Sequence, residues 1–507
     1  MSDAPLIDRR QRAIEFYNQA VQIVKQDPRA AYRLLSSAVT VDPSFGQGWF
    51  MLGNSNADLT LWWGAIAAYR RAVHLPDGDR AGDMEPVTRQ KCYANLAHRL
   101  YHMGEIGEAN RMNDEALALN PDEPFANVNA SMLASLDCDH AAAIEYANRA
   151  WKAEESPIIG TAAAFAYLFG GQLAKGLTLF EHRVGYKLKE FESYPYPKWN
   201  GEPCGVLYVV SDQGLGDAIS FARFLPRVLE VVDRVLLRVG GELVRLLRMA
   251  FPDEDRLTIE PLAVDFPLAD GWVALMSIPV ALGLTDAEIR DQPGLDFPVM
   301  EFPQGQWKAE GLYSIGIAWA GAPSNDIDRF RSIPFTDFLN LYRVPGVQLY
   351  CLQVGEAVKD LHSAGCAGAV RDLSPYIRDA ADTAAVMVEM DLIVCVDSFV
   401  GHLAGALGVE CWTLLAEMGG DWRAGRSGRT PLWYGNTEIW RQTDHETNVW
   451  GPVWESVVEA LGRQVEKWRA ANETVLALAK PEVGAYIREG LKRLAGDDWD
   501  AGELHNQ

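Results

Sequence analysis

The stretch Ser211–Phe224, with the sequence SDQGLGDAISFARF, decides how the second half of this chain folds. It follows an apolar run, Val206–Val210, that we interpret as a buried parallel strand, and it leads into apolar residues at helical spacing. Two glycines and Asp217 therefore occupy a tight turn between a strand and a helix, where open α/β sheets bind ligands. Glycines let a backbone approach a ligand closely, and a helix N-terminus attracts negative charge.

This turn matches neither of two common glycine-rich nucleotide motifs. Ile219 stands where the dinucleotide motif G-x-G-x-x-G requires its third glycine. No Gly-Lys-Ser/Thr follows, as a phosphate-binding loop requires. The turn is therefore neither a dinucleotide fingerprint nor a phosphate loop.

Length and charge restrict the classes of function. A chain of 507 residues is too long for one core and predicts about two to four domains. The net charge of −23 argues against nucleic acid as a partner, because that affinity comes mainly from basic side chains. Seven scattered cysteines without a C-x-x-C pattern indicate a reducing compartment, not a disulfide framework or a zinc site.

The sequence shows no targeting or membrane segment. No stretch approaches about eighteen consecutive apolar residues, so we expect no transmembrane helix. The first residues, Met1–Pro5, lack the basic and apolar regions of a signal peptide. We therefore expect a cytoplasmic protein.

The first 185 residues are helical in pattern throughout and contain a repeat. Each unit has small residues at helical spacing, which let paired helices approach closely. A spacing of 34 residues occurs twice, from Ala38 to Ala72 and from Ala116 to Ala150. This regularity predicts stacked helical hairpins over residues 1–185, with a generic helical bundle as the alternative.

The repeat resembles the tetratricopeptide repeat. Its period, the W-x-x-L-G segment at Trp49–Gly53 and the prolines that follow second helices are features of that family. The step from the second unit to the third is ten residues longer, which predicts an insertion near Pro76–Arg89. The resemblance implies a solenoid whose concave surface binds a protein or peptide.

Beyond the repeats, strands and helices alternate in two sets. We interpret 186–204 as a linker, 205–300 as a first α/β domain, 311–445 as a second and 446–507 as C-terminal helices with a polar tail. Residues 298–310 form the connection between the two domains. Two successive α/β domains predict a cleft between them.

Two details of these sets are specific enough to test. In the first, we interpret the apolar run that begins at Leu275 as further strand pieces reaching Phe297. In the second, we expect Cys411–Leu415 to be the strand that closes the sheet.

A second turn between a strand and a helix lies at Cys395–Gly408. Asp397 and Ser398 end a buried strand, and a helix rich in small residues follows. Backbone amides at such a helix start suit a diphosphate. Upstream, the polar loop Trp319–Pro334 carries Arg331, which could clamp phosphate oxygens.

Three motifs then occur in order: Q-G-L-G-D-A-I-x-F-A-R-F-L from 213, R-S-I-P from 331 and V-D-S-x-x-x-H-L-A-G-A-L-G from 396. Over roughly residues 30–462 they resemble bacterial proteins that fuse tetratricopeptide repeats to a glycosyltransferase family 9, heptosyltransferase-like domain of the GT-B fold. The segments L-x-L-F-E-x-R at 177–183 and K-W-N-G-E-P at 198–203 resemble the same family. The implied fold class is α plus α/β: a helical solenoid followed by two Rossmann-like domains with an interdomain cleft.

The resemblance implies an inverting sugar transfer from a nucleotide-sugar, with no metal and no cofactor. It implies Asp217 as the general base that takes the proton of an acceptor hydroxyl. The implied donor-binding residues are Arg331, Asp397, Ser398, Gly401 and His402. The implied acceptor-side turn residues are Gln213, Gly214 and Gly216. A weaker match places Trp319, Gln353 and Glu417 in a nucleoside pocket.

These candidates also have structural interpretations. Asp217, Asp397 and Ser398 are residue types that cap helices. Arg329, next to the arginine motif, could be a surface charge. The loop Ala416–Arg423 suits either base recognition or a mobile lid.

The leading hypothesis is a glycosyltransferase whose repeats recruit a protein acceptor, such as a flagellin or another surface protein. The alternative is a scaffold in which the GT-B-like domain is inactive or only senses a ligand. A nucleotide-sugar epimerase or hydrolase on the same fold is a third hypothesis, because fold alone does not decide activity.

Overall fold

A computed structural model of the chain describes residues 4–75, 83–186, 188, 191, 193–263, 268–298, 302, 307–323, 328–418, 420–442 and 450–472. Parts of the predicted insertion, of the 298–310 connection and of the loop after residue 323 therefore lie outside the described residues. The expected helices and polar tail beyond residue 472 lie outside them as well. In the described part of the chain, no helix combines the length and the hydropathy needed to cross a membrane.

Ten helices precede the first strand in the described N-terminal part, and consecutive helices pair as hairpins. They are α1 (Ala4–Ile23), α2 (Pro28–Val41), α3 (Gly46–Asp58), α4 (Trp62–Val73), α5 (Pro86–Met103), α6 (Ile106–Leu119), α7 (Pro124–Leu136), α8 (His140–Ala153), α9 (Pro157–Phe169) and α10 (Leu173–Phe180). Each hairpin also packs on the next, which is the arrangement of a solenoid.

The predicted repeat positions explain this stacking. The alanines at 38, 72, 116 and 150 lie in α2, α4, α6 and α8, and each has 0% exposure. Because no side chain extends beyond Cβ there, neighbouring helices approach closely. The predicted helical repeats are confirmed.

Gly53 of α3 shows how tight the helix contacts are. A Cβ added there would lie 2.3 Å from Cε1 of Tyr69 in α4. We expect Gly53→Ala to lower the free energy of unfolding by about 1–3 kcal/mol, because the ring must shift. Urea denaturation of the full chain measures this change.

Gly462→Ala is the matched control. Gly462 lies in the helical segment 451–472, where an added Cβ meets no atom within 4 Å. We expect a gain of up to about 1 kcal/mol there, from helix propensity alone. Equal effects of the two substitutions would contradict the packing explanation.

The first α/β domain is built on a parallel sheet of four described strands in the order β3-β2-β1-β4. The strands are β1 (Val206–Val210), β2 (Arg234–Val239), β3 (Leu257–Pro261) and β4 (Gly271–Ala274). The helices are α11 (Leu215–Ala222), α12 (Leu225–Leu229), α13 (Gly241–Ala250), α14 (Ile278–Ala281) and α15 (Asp286–Arg290). The run after Leu275 is helical, so the prediction of strand pieces there was wrong: its apolar residues fill the core as short helical turns.

The second α/β domain is built on a parallel sheet of six described strands in the order β10-β9-β8-β5-β6-β7. The strands are β5 (Tyr313–Ala318), β6 (Val347–Cys351), β7 (Arg371–Asp372), β8 (Leu392–Val396), β9 (Cys411–Leu415) and β10 (Thr437–Arg441). The helices are α16 (Asp328–Arg331), α17 (Phe335–Phe338), α18 (Val358–Ser363), α19 (Ala380–Met387) and α20 (Phe399–Leu407). A further strand, β10, pairs outside β9, so the expectation that β9 closes the sheet was wrong.

The three parts form one connected structure. Helix α11 packs on α20 and α13 packs on α19, so the two sheets face each other across a helical interface. Helix α10 of the solenoid packs on α14 and α15 of the first α/β domain. The chain therefore has the expected α plus α/β class: a helical-repeat solenoid followed by a GT-B pair of parallel-sheet domains.

Candidate functional site

The two glycine-containing turns that the sequence singles out meet at the interface of α11 and α20. Gly216 lies in the first turn of α11, and a Cβ added there would be 2.5 Å from Cδ2 of His402 in α20. Ser220 Oγ lies 3.2 Å from His402 Nδ1 and 2.8 Å from the hydroxyl of Tyr434. The absent side chain at Gly216 thus allows residues about 180 positions apart to touch across the domain boundary.

Both carboxylate oxygens of Asp217 have partners at the α11–α20 interface. Its Oδ2 accepts a hydrogen bond from the backbone N–H of Gly214 at 3.2 Å. The N-cap residue of α11 is Gly214, so the interpretation of Asp217 as the N-cap was wrong: Asp217 is the third residue of the helix and bonds back to the N-cap backbone. Its Oδ1 lies 2.6 Å from Nη2 of Arg423, and the side chain is 30% exposed. These contacts do not exclude a catalytic role, which stays a prediction.

Arg423 is the functional candidate that the sequence analysis missed. Its guanidinium has 5% exposure and bridges Asp217 of the first α/β domain and Asp421 of the second. It also lies against the rings of Trp422, at 4.6 Å, and Phe221, at 5.4 Å. Burial alone would lower the pKa of Arg423, but the two carboxylates raise it above its ordinary value. No pattern in the loop 416–423 could show this pairing, because its partner lies 206 residues earlier.

Three side chains of the second domain form an ionisable cluster beside Arg423. Asp421 Oδ2 lies 3.2 Å from Nε2 of His402. Burial would raise the pKa of Asp421, but Arg423 and His402 lower it below its ordinary value. Burial and the nearby charge of Asp421 raise the pKa of Asp397 to about 6. One polar atom each of Asp397, His402 and Asp421 lies within 4.8 Å of the others, a spacing that would admit a cation, although Arg423 already binds Asp421.

Ser398 and Gly401 shape the start of α20. Ser398 is its N-cap residue, yet the hydroxyl makes no capping bond, and Oγ is buried without a hydrogen-bond partner in the described structure. A Cβ at Gly401 would lie 3.3 Å from Cys395 Sγ and from Thr413 Oγ1. Both residues border a cavity of about 30 Å³. That volume holds about one water, so the space beside Ser398 and Gly401 is closed to a larger ligand in this structure.

The arginine loop lies beside the same cluster. Arg331 Nε donates to Asp328 at 3.0 Å, and its positive charge partly offsets the rise in the pKa of the nearby Asp397. Arg329 reaches the solenoid instead, where it donates to the backbone carbonyl of His102 at the end of α5. The structure therefore brings Arg331, and not Arg329, to the candidate site.

The remaining candidate residues lie apart from the cavity. Gln213 and Gly214 are exposed on the turn before α11. Trp319 is 1% exposed and packs on Phe335 in the core of the second domain. Gln353 Oε1 accepts a hydrogen bond from the backbone N–H of Trp319 at 3.0 Å, so this side chain links the chain after β6 to the end of β5. The nucleoside-pocket roles of Trp319, Gln353 and Glu417 stay predictions.

The raised pKa of Asp397 gives a pH-dependent stability. Between about pH 4 and pH 6 the native state holds a proton that the unfolded chain has released, so this group lowers stability as pH rises. Asp397→Asn removes that effect. We subtract the free energy of unfolding of the unsubstituted chain from that of the Asp397→Asn variant. We expect this difference to be about 2 kcal/mol more positive at pH 7.5 than at pH 4.5.

Urea denaturation at the two pH values measures this difference. Glu230→Asn, on an exposed turn of the first domain, serves as the control for a change of charge alone. A difference between Asp397→Asn and the unsubstituted chain that does not change with pH would contradict the buried-carboxylate explanation.

The solenoid holds both loops of the candidate site. Arg183, just after α10, is 1% exposed and lies 2.7 Å from Asp212, two residues before Gly214. Its Nη2 also donates to Ser277 Oγ at 2.9 Å. Burial would lower the pKa of Arg183, but Asp212 and Glu181 raise it. The end of the repeats is therefore anchored to the turn that carries Asp217.

The loop after β9 is anchored on the other side. Met418 is 3% exposed and packs among α5, α6 and α7 residues such as Tyr101 and Leu133. The guanidinium of Arg426 lies 3.9 Å from the ring centroid of Phe169 in α9. In this structure the loop that carries Asp421 and Arg423 is thus packed against the solenoid, not detached as a free lid.

We expect Arg183→Met to lower the free energy of unfolding by about 3–5 kcal/mol, because Asp212 is left buried without its partner. Adding Asp212→Asn to that variant removes the unpaired charge and should restore part of the loss. Lys198→Met is the control: Lys198 pairs with Glu181 but is 42% exposed, so a loss below about 1 kcal/mol is expected. Equal losses for Arg183→Met and Lys198→Met, measured by urea denaturation, would contradict this assignment.

The architecture and the meeting of the two turns define the class of protein: a helical-repeat chain joined to a GT-B pair of α/β domains. No protein-family model matches the chain. Protein FlbA of Caulobacter vibrioides is 25% identical over 395 residues, which cover 71% of this chain and 65% of that protein. The chain thus spans about two thirds of the length of this relative.

Similar solved structures cover either the whole chain or its repeats. An O-GlcNAc transferase mutant of Thermobaculum terrenum is 14% identical with a TM-score of 0.33, over 96% of this chain and 97% of its own. A tetratricopeptide-repeat protein of Thermus thermophilus is 19% identical with a TM-score of 0.28, over 36% of this chain and 94% of its own. At such TM-scores the architecture rests on the helices and sheets of this chain itself.

Proposed function

We propose that the chain is an inverting, metal-independent glycosyltransferase of the family 9, heptosyltransferase-like type. It transfers a sugar from a nucleotide-sugar to a hydroxyl of a protein held by the repeats. The observation that carries this proposal is the contact of the Gly216–Asp217 turn with His402 at the α11–α20 interface. In this proposal, Asp217 is the acceptor-side acid, and the start of α20 is the donor side of the cleft.

In the proposed reaction, Asp217 takes the proton of the acceptor hydroxyl while the hydroxyl oxygen attacks the anomeric carbon. The bond from that carbon to the diphosphate oxygen breaks, and the nucleoside diphosphate leaves with the electron pair. Attack from the opposite face inverts the anomeric centre. Asp217 must first separate from Nη2 of Arg423, which can then donate to the leaving diphosphate while Nη1 stays paired with Asp421.

The donor would bind at the start of α20. Its backbone amides, the unpartnered hydroxyl of Ser398 and the ring of His402 offer hydrogen bonds to phosphate or sugar oxygens. Arg331 and Arg423 supply positive charge against the acidic cluster. Two guanidinium groups and helix amides suffice in principle to stabilise a leaving diphosphate.

One observation favours a second candidate function, a scaffold with an inactive or ligand-sensing GT-B domain. In this structure Asp217 is paired with Arg423, and the adjoining cavity has only about 30 Å³. A cleft that stays closed in solution would admit no nucleotide-sugar. The two functions therefore differ in whether a donor opens the cleft.

Donor binding and transfer are measured separately. Isothermal titration with UDP-, GDP-, ADP- and CMP-sugars identifies the donor, and mass spectrometry of candidate acceptor proteins measures transfer. We expect Asp217→Asn to keep donor affinity within about twofold and to reduce transfer by about 10²–10⁴-fold. Asp233→Asn, an exposed acid of the same domain, is the control and should leave both unchanged.

The outcomes separate the candidates. Full transfer by Asp217→Asn would exclude Asp217 as the base. If no nucleotide-sugar binds to the full chain, the scaffold is the better explanation.

A further inference from the structure

A second cavity lies at the other end of the α11–α20 interface. It has a volume of about 180 Å³, which corresponds to about six waters in the liquid. Its walls come from α11, from α20, from the segment after α15 and from the residues before β10. The Ser220–Tyr434 contact separates it from the cavity at Ser398. It is therefore a distinct site between the two domains.

The charge of this cavity is opposite to that of the chain. Arg223 and Arg290 line it, and none of the described residues that line it is an aspartate or glutamate. The whole chain has 69 acidic residues against 46 basic ones. Two arginines without an acid among the described lining residues create a local positive potential.

Arg223 differs from the other buried arginines of the described structure. Arg183 is paired with Asp212 and Glu181, Arg238 with Glu260, and Arg423 with Asp217 and Asp421. Each of these three guanidinium groups has a carboxylate within 3.0 Å.

Arg223 is 5% exposed, and its hydrogen-bond partners among the described residues are neutral. It donates to the carbonyls of Ile289, at 2.7 Å, and Arg290, at 3.1 Å, and it lies 4.2 Å from the ring of Trp433. Carbonyl dipoles and an aromatic ring stabilise a cation but leave its net charge in place. Consistently, burial lowers the pKa of Arg223 to about 10. A buried cation without a counter-charge is costly.

Two other polar side chains of the cavity, Gln292 and Asn436, are already engaged. Gln292 bonds Arg227 and the carbonyl of Arg223, and Asn436 donates to two carbonyls of the second domain. They shape the walls and supply no charge. The two arginines supply the charge that attracts a ligand, and the indole N–H of Trp433, which is buried without a partner in the described structure, is a further donor.

We propose that this cavity binds a phosphate group, free or carried on a small metabolite, between the Arg223 and Arg290 guanidiniums. Two cations match a dianion, and guanidinium groups bind phosphate oxygens in a planar fork. The size of the cavity fits a phosphate with a small substituent and excludes a nucleotide-sugar.

Such a ligand would act on the arrangement of the domains. Arg223 and Arg290 belong to the first α/β domain, and Tyr434 belongs to the second. A ligand that contacts all three binds best when the cleft is closed as it is here, and it therefore favours that state. Tyr434 also reaches His402 through Ser220, which connects the cavity to the candidate active site.

Isothermal titration of the full chain with inorganic phosphate, at constant ionic strength set by sodium chloride, tests the proposal without any sugar donor. We expect one saturable site. Arg290→Gln and Arg223→Lys should each weaken it about tenfold or more, because each loses a charge-assisted contact. Arg290 is exposed, so its substitution tests the site even if Arg223→Lys does not fold.

Two controls separate this site from others. Arg256→Gln removes an exposed arginine far along the same domain and should leave the affinity within about twofold. Arg331→Gln should do the same, because Arg331 belongs to the candidate donor site. Loss of binding in Arg331→Gln with full binding in Arg290→Gln would place the phosphate at the donor site and overturn the proposal.

Two further results would also overturn it. One is the absence of saturable phosphate binding by the unsubstituted chain. The other is equal affinity for acetate, which would identify a carboxylate site. Because no transfer is measured, failure of this proposal and failure of the glycosyltransferase proposal are distinguishable.

Discussion

The ion pair between Asp217 and Arg423 is the contact on which the arrangement of the cleft depends. It joins the first turn of α11 to the loop after β9 at 2.6 Å, and Asp421 holds the same guanidinium from the other side. Gly216 makes the approach feasible, because any side chain there would strike His402. The buried guanidinium of Arg423 thus connects the two α/β domains beside the two turns between strand and helix.

The helical solenoid takes part in this arrangement. Arg183 holds the turn before α11, and α5, α6, α7 and α9 hold the loop that carries Arg423. Both loops of the candidate site are therefore in contact with the repeats. These contacts distinguish the structure from one in which repeats are joined to an independent domain only by a linker.

Charge is distributed unevenly over the interface of the two domains. At the start of α20, three carboxylates lie near one histidine and two arginines, and burial raises the pKa of Asp397 to about 6. At the other end of α11, two arginines face a cavity without an acid among its described lining residues. Because buried charges require counter-charges, the end with the two arginines favours an anionic ligand, and the end with the three carboxylates does not.

The sequence by itself determined the repeat period, the two parallel sheets and the two turns, because small residues, apolar runs and glycines are local features. It could not show that α14 is a helix, since a short apolar run suits either state, nor that β10 lies outside β9, since pairing order depends on distant strands. Only the tertiary structure placed Arg423 between Asp217 and Asp421 and gave Arg223 neutral partners among the described residues. Such pairings join residues far apart in the chain, and no local pattern encodes them.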